Sequence, residues 1–332
     1  MKILVAGSGG WGTALAIVLL RNGHDVTVWS YCQEESDHLR LTRNNPFLPE
    51  AELPEQMCFT ADCAAASDAD MVVFATPSFA VRATAKSFVP YLKNDAIIVS
   101  VTKGIENGTG LRMSQVIEQE TDKAVVVLTG PTHAEEVSQD IPTGILAAST
   151  DKALAEMVQD AFMSENFRVY TSPDPVGAEL GAALKNVIAL CAGVTDGLGF
   201  GDNTKALLMT RGLTETARLG VSLGASKDSF AGLSGIGDLI VTCTSMHSRN
   251  RRAGILIGQG RTPQQAMEEV GAVVEGYYAA KGAYELGKQQ GIDMPITEAA
   301  YKVLYEGDDP RTACSELLLR RRKAESEDAG WL

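Results

Sequence analysis

Residues 2–20 constrain this chain more than any other stretch. Lys2-Ile3-Leu4-Val5-Ala6 is a short apolar run of the kind that forms a buried strand, and Thr13 to Leu20 reads as a helix. Between them stands Gly7-Ser8-Gly9-Gly10-Trp11-Gly12, a G-x-G-x-x-G loop. Such a loop alone is a weak signal, because glycine is common in turns. Set between strand and helix, it points to a βαβ unit that binds a dinucleotide. Gly7 permits the tight turn, Gly9 removes a Cβ that would block a pyrophosphate, and Gly12 lets helix and strand approach closely. The amides of the helix N-terminus then face phosphate. A plain strand-to-helix turn is the competing reading.

The pattern continues through the first half. Val26–Trp29, Met71–Ala75, Ala96–Val101, Ala124–Leu128, Gly144–Ala148 and Phe167–Tyr170 are short apolar runs, most of them continuous, separated by helical spacing. Continuous runs belong to strands covered on both faces, so the sequence predicts an α/β fold with a doubly wound, Rossmann-type parallel sheet. A helix is expected near Ala153–Met163. Beyond Pro175 strand signals fade, and runs rich in Ala, Leu and Gly take over, with helices predicted at 177–193, 205–223, 263–270, 277–290 and 295–305. The expectation is a dinucleotide-binding domain at 1–180 and an all-helical domain at 181–332. The site would lie between them, at the carboxyl ends of the strands.

Composition narrows the partners. A net charge of -13 over 332 residues, with no offsetting basic face, argues against nucleic acid. No run of eighteen uncharged apolar residues occurs, so no membrane span or stable membrane insertion is expected. No basic segment precedes an apolar one at the start, which argues against a signal peptide. The six scattered cysteines then read as reduced thiols of a cytoplasmic protein, with Cys191 and Cys243 in the core. Cys58 and Cys63 lack ligand spacing, and no metal is expected.

Several side chains outside the glycine loop are placed for chemistry. The second strand ends Val28-Trp29-Ser30-Tyr31 with no acid to hold a ribose 2′-hydroxyl, while Glu34 and Glu35 come several residues later. Nothing there repels a 2′-phosphate and no arginine welcomes one, which leaves NAD and NADP both open. Lys103, after the 96–101 strand, stands where ligands gather, although a solvated loop lysine is equally ordinary. Gly130-Pro131-Thr132-His133-Ala134 lets backbone approach a ligand closely. His133 within it is tempting as an acid or base, but a single loop histidine is more often structural. Lys185 sits in a helix apolar on nearly every face, and burial there lowers its pKa toward the range of a proton donor. Asp238 follows a bend of three glycines and suits a partner for Lys185, unless it merely caps a helix. Ser248, Arg249 and Asn250 open a basic cluster suited to a phosphate at a helix N-terminus. Glu275, after Val273, suits a ribose hydroxyl or a structural turn.

Taken in order and spacing, Gly7–Ala14, Thr102–Gly104, Gly130–Ala134, Leu184–Val187, Leu233–Asp238, Ser248–Arg252 and Val274–Gly276 resemble the bacterial NAD(P)-dependent glycerol-3-phosphate dehydrogenase family along the whole chain. The resemblance implies reversible reduction of dihydroxyacetone phosphate to sn-glycerol 3-phosphate, feeding glycerophospholipid synthesis. It implies that Gly10, Trp11, Tyr31, Lys103, Ala134, Arg249, Val273 and Glu275 meet the cofactor. It implies that Lys103, Gly130, Thr132, Lys185, Asp238, Ser248, Arg249 and Asn250 surround the substrate, with Lys185 as acid/base; a homodimer is compatible with it. One departure is Gly10, where many relatives carry serine. Another is the lack of a basic residue near Ser30 and Tyr31. Two rivals stand beside this reading: a dehydrogenase of 3-hydroxy acids, disfavoured by the basic cluster, and a non-catalytic nucleotide sensor, disfavoured by Lys185 with Asp238.

Overall fold

The computed structural model describes residues 1–325. The first half alternates strand and helix: β1 (Lys2–Ala6), α1 (Gly10–Arg21), β2 (Asp25–Trp29), α2 (Gln33–Thr42), β3 (Cys58–Thr60), β4 (Met71–Phe74) and α3 (Val81–Phe88). It continues with β5 (Ile97–Ser100), α4 (Met113–Thr121), β6 (Val125–Thr129), α5 (Ala134–Ser138), β7 (Thr143–Ala148), α6 (Lys152–Phe162) and β8 (Phe167–Ser172). The second half is helical: α7 (Pro175–Gly197), α8 (Asp202–Ser222), α9 (Asp238–Thr244) and α10 (Arg249–Gly258). After them come α11 (Pro263–Val270), α12 (Glu275–Gln290), α13 (Pro295–Tyr301) and α14 (Pro310–Leu318).

The strands form one sheet in the order β3-β2-β1-β4-β5-β6-β7-β8. Pairing is parallel throughout except between β6 and β7. Strand order reverses between β1 and β4, so their carboxyl ends open a crevice at the topological switch point. Ile3 and Val5 pack into one core layer while Leu4 and Ala6 pack into the other. Burial on both faces is why these strands read as unbroken apolar runs. β3 escaped the sequence reading because it is a three-residue edge strand with one buried side chain, Phe59.

α7 is the axis of the helical half. Among the described residues it is the one helix long and apolar enough to cross a membrane, yet 89% of its apolar window is buried under neighbouring helices. Its apolarity belongs to the core. The helix runs unbroken across residue 180, where a domain boundary was expected. At its start, the Asp174 carboxylate accepts from the amides of Gly177 and Ser226 and from the Ser229 hydroxyl. Proline at the first helical position makes that start sharp. At the root of α7, the buried Glu179 carboxylate pairs with Arg112 and accepts from the amide and hydroxyl of Ser114, binding the helix to the sheet domain.

α10 crosses α7 at backbone contact. A Cβ on Gly193 would overlap the Arg251 carbonyl, and one on Gly254 would overlap the Leu190 carbonyl. Gly197 and Gly258 repeat the contact one turn along. All six cysteines are free. In the charged C-terminal tail, Arg320 and Lys323 both pair with Asp293, at 2.9 and 3.0 Å. The rest of that tail, 326–332, lies outside the described residues.

Candidate active site

A cleft of about 600 Å³ runs from the glycine loop to the helical half. Its sheet-side wall begins at the turn after β1. Gly7 takes φ of +133°, and a Cβ there would come within 2.6 Å of the Ala75 carbonyl just past the end of β4. Gly12 serves the packing of α1 on β1, since a Cβ on it would overlap the Gly7 carbonyl and keep the helix from seating over the strand. Gly9 meets no protein atom within 4 Å, because its Cβ position faces the open cleft. α1 begins there with no side-chain cap and no acid in its first turn. Uncapped amides aimed into a cleft fit an anionic pyrophosphate, which is the fit a dinucleotide requires.

At the opposite end, three charged groups meet. Asp238, 1% exposed, stands at the first position of α9 and caps nothing. The turn before it is widened and broken at Gly235, which aims the carboxylate at α7 instead. One of its oxygens accepts from Lys185 Nζ at 2.7 Å and the other from Lys103 Nζ at 2.7 Å. Lys185 also donates to the Thr242 hydroxyl at 2.6 Å, and Lys103 to the Gly130 carbonyl at 3.0 Å.

The electrostatics follow from burial. Lys185 is 7% exposed, and loss of water pushes its pKa down to about 8; Asp238 opposes that fall and Lys103 adds to it. Burial alone would raise the pKa of Asp238, but the two ammonium groups outweigh it and hold the carboxylate below its ordinary value. The result is a buried lysine that changes protonation near neutrality, held by an acid that stays ionised.

Arg249 opens α10 and is exposed into the cleft. The protein packed around its guanidinium lowers its pKa, with Glu275 and Glu135 acting the other way. Ser248 accepts from the Arg251 amide as the cap of α10. Asn250 donates to Asn186 on α7 at 3.0 Å and accepts from the Gly276 amide on α12 at 2.7 Å, so three helices meet at one buried amide. Glu275 is held by the Ser78 amide and hydroxyl, at 3.1 and 2.6 Å, and links α12 to the turn after β4.

Residues 2–155 match the family model for the N-terminus of NAD-dependent glycerol-3-phosphate dehydrogenase, and residues 174–315 match the model for its C-terminus. The chain belongs to that family. It is 50% identical over 329 residues to a glycerol-3-phosphate dehydrogenase (NAD(P)+) of Desulfitobacterium hafniense, covering 98% of this chain and 94% of that protein. The structure of glycerol-3-phosphate dehydrogenase from Coxiella burnetii superposes with a TM-score of 0.93 at 34% identity, covering 96% of this chain and 99% of that one. The enzyme of Saccharomyces cerevisiae does so with a TM-score of 0.81 at 25% identity, with the same coverage.

Within this glycerol-3-phosphate dehydrogenase frame, the cleft gathers most of the residues singled out from sequence. Gly7, Gly9, Gly10, Trp11, Tyr31, Lys103, Thr132, Ala134, Lys185, Asp238, Ser248, Arg249, Asn250, Val273 and Glu275 all line it. Gly12 and Gly130 do not. Gly12 acts through packing, and Gly130 turns its carbonyl to Lys103 while its α-carbon lies against Ile145. At Gly10, a Cβ would come within 2.7 Å of the Phe47 carbonyl, so a serine there needs the Pro46–Phe47 loop to move.

Ser30 is wholly buried, with a hydroxyl that has no partner among the described residues, and does not line the cleft. The acid that reaches the cleft wall near the end of β2 is Glu35, in the first turn of α2, which sequence distance from the strand had set aside. Arg252, part of the basic cluster in the sequence but given no role of its own there, stands three residues beyond Arg249 on the same face. It lines the cleft with a buried Nε that has no partner among the described residues. His133 stands just before α5 without capping it through its side chain; its buried Nε2 has no partner among the described residues, and its ring lies 5.6 Å from that of His247. Burial lowers the pKa of His133, and Lys185 nearby lowers it further, so it stays neutral beside the lysine pair.

Proposed function

We propose that this chain catalyses the NAD(P)H-dependent, reversible reduction of dihydroxyacetone phosphate to sn-glycerol 3-phosphate. The observation that carries the reading is the buried Lys185–Asp238–Lys103 cluster in the same cleft as Arg249 and the uncapped start of α1. The nicotinamide dinucleotide, when bound, supplies the hydride. Gly7, Gly9, Gly10, Trp11, Tyr31, Ala134, Val273 and Glu275 are the residues to hold it.

Lys185 does the proton work. With its pKa near 8 it carries a proton at neutral pH and gives it up readily to the carbonyl oxygen as negative charge develops there. Asp238 fixes the direction of Nζ, and Thr242 receives one of its remaining hydrogens. Lys103, on the far side of Asp238, adds a second positive charge toward the same oxygen. Arg249 and the start of α10 hold the phosphate. This binding energy, remote from the reacting carbon, positions the ketone. In the reverse direction the neutral amine of Lys185 takes the hydroxyl proton.

A chain with these parts belongs in the cytoplasm as a supplier of glycerol 3-phosphate to glycerophospholipid synthesis, and a homodimer is compatible with it. A panel of dihydroxyacetone phosphate, dihydroxyacetone and 3-keto acids, followed at the nicotinamide absorbance with NADH and NADPH, tests the reading. Turnover confined to the phosphorylated ketone is expected. Preference for 3-keto acids, or no turnover at all, would return the two rivals. Lys185→Ala is expected to lower kcat by roughly 10²–10⁴-fold. Lys185→Arg does not rescue it, since a guanidinium does not release its proton.

A further inference from the structure

We infer that Glu35 makes this chain an enzyme of the non-phosphorylated dinucleotide, binding NADH in preference to NADPH. The inference rests on the dinucleotide reading above and deepens it. The wall at the end of β2 is formed by Trp29, Tyr31, Glu35, Pro46 and Phe47, and Glu35 is the charged member of that group. In a doubly wound sheet this is where the adenosine ribose rests, with its 2′ position beside the end of the second strand. A carboxylate there accepts from a 2′-hydroxyl and repels a 2′-phosphate.

The bases around it are already committed. Arg40 pairs with Asp37 at 2.6 Å on α2. Arg43, at the end of that helix, donates to the carbonyls of Pro54, Glu55 and Met57 and covers the Phe59 ring. Neither lines the cleft. An incoming 2′-phosphate on this wall therefore meets an acid and, among the described residues that form the wall, no cation. Acids in a first helical turn also serve the helix dipole, which is the ordinary reason for Glu34 and Glu35 together. The two differ in setting. Glu34 is exposed, accepts from the Cys32 thiol and does not line the cleft, whereas Glu35 is half-buried on its wall.

The test is equilibrium binding of NADH and NADPH to the wild-type chain and to Glu35→Gln by isothermal titration calorimetry, in low salt and without substrate. Wild type is expected to bind NADH at least tenfold more tightly. In Glu35→Gln the gap should shrink at least threefold, through tighter NADPH binding, with the NADH Kd moving less than threefold. The variant keeps the shape of the side chain, and an unchanged Tm confirms that it folds. Equal affinities in wild type, or an unchanged ratio in the variant, would overturn the role of Glu35 and leave the dehydrogenase reading standing. Failure of either dinucleotide to bind would overturn both.

Discussion

Two substitutions around Asp238 should move the pH dependence of catalysis in opposite directions. Lys185 and Lys103 each lie 2.7 Å from a different oxygen of that carboxylate, which places the two ammonium groups within roughly 5–7 Å of each other. At an effective dielectric near 20, like charges at that separation repel by about 2–3 kcal/mol before screening by the carboxylate between them. One pKa unit corresponds to about 1.4 kcal/mol. Lys103→Met removes this repulsion, so the pKa of Lys185 should climb from about 8 by about one unit. Asp238→Asn removes the attraction instead, and the pKa should fall by at least about as much.

The assay is kcat/KM for ketone reduction between pH 6 and 10, which reports the free enzyme. On the proposed mechanism reduction needs the ammonium form of Lys185, so activity should be flat on the acid side and decline tenfold per unit above the pKa. The midpoint starts at about 8 in wild type. It should move up in Lys103→Met and down in Asp238→Asn, with the alcohol-oxidation profile moving in parallel and in mirror image. Asp238→Asn also strands two cations, a loss of roughly 3–5 kcal/mol, so its Tm should drop while that of Lys103→Met holds. Midpoints that stay together, or shift in the same direction, would refute the charge arrangement as the source of the tuning.

Other outcomes follow from the cleft. Arg249→Ala should raise the KM for the phosphorylated ketone by about 10- to 150-fold, the worth of a charge-assisted hydrogen bond, and lower kcat at saturation far less. KM for the dinucleotide is measured alongside, because Arg249 stands near Glu275. Arg252→Met should raise the same ketone KM several-fold without altering the pH midpoint; an unchanged KM would remove Arg252 from anion binding. Gly12→Ala forces a Cβ into the Gly7 carbonyl and should lower Tm by several degrees, at about 2–4 °C per kcal/mol of overpacking, with loss of dinucleotide affinity.

What the sequence revealed depended on how local each signal was. The strand–glycine loop–helix unit is written in nineteen consecutive residues, and double burial made β1, β4, β5 and β6 plain. Lys185 was visible because an ammonium in an apolar helix is costly wherever the helix packs. The union of Asp238 with both Lys185 and Lys103 was less accessible. Those residues lie 53 and 135 positions from Asp238, and only the fold brings them together. Ser30 and Glu35 show the converse. Counting along the chain pointed to the end of the second strand, but Ser30 just past β2 is buried, and the first turn of α2 carries Glu35 back to the cleft. Glu179 and Ser78 gave no signal, since each is polar for the sake of a partner on a distant element.

The glycine contact between α7 and α10 has a consequence for which molecules can react. Lys185 projects from one helix and Arg249 from the start of the other, and where they cross the two backbones touch with no side chain between them. Side chains can adjust by changing rotamer, but backbones in contact have almost no compliance. The spacing of the two backbones from which Lys185 and Arg249 project is thus fixed, locked a second time by the Asn186–Asn250 bond. On the roles proposed for Lys185 and Arg249, this fixed helix spacing limits how far the ketone and the phosphate of a substrate can lie apart. Chain length would then be selected by the spacing of two helices rather than by the shape of a pocket.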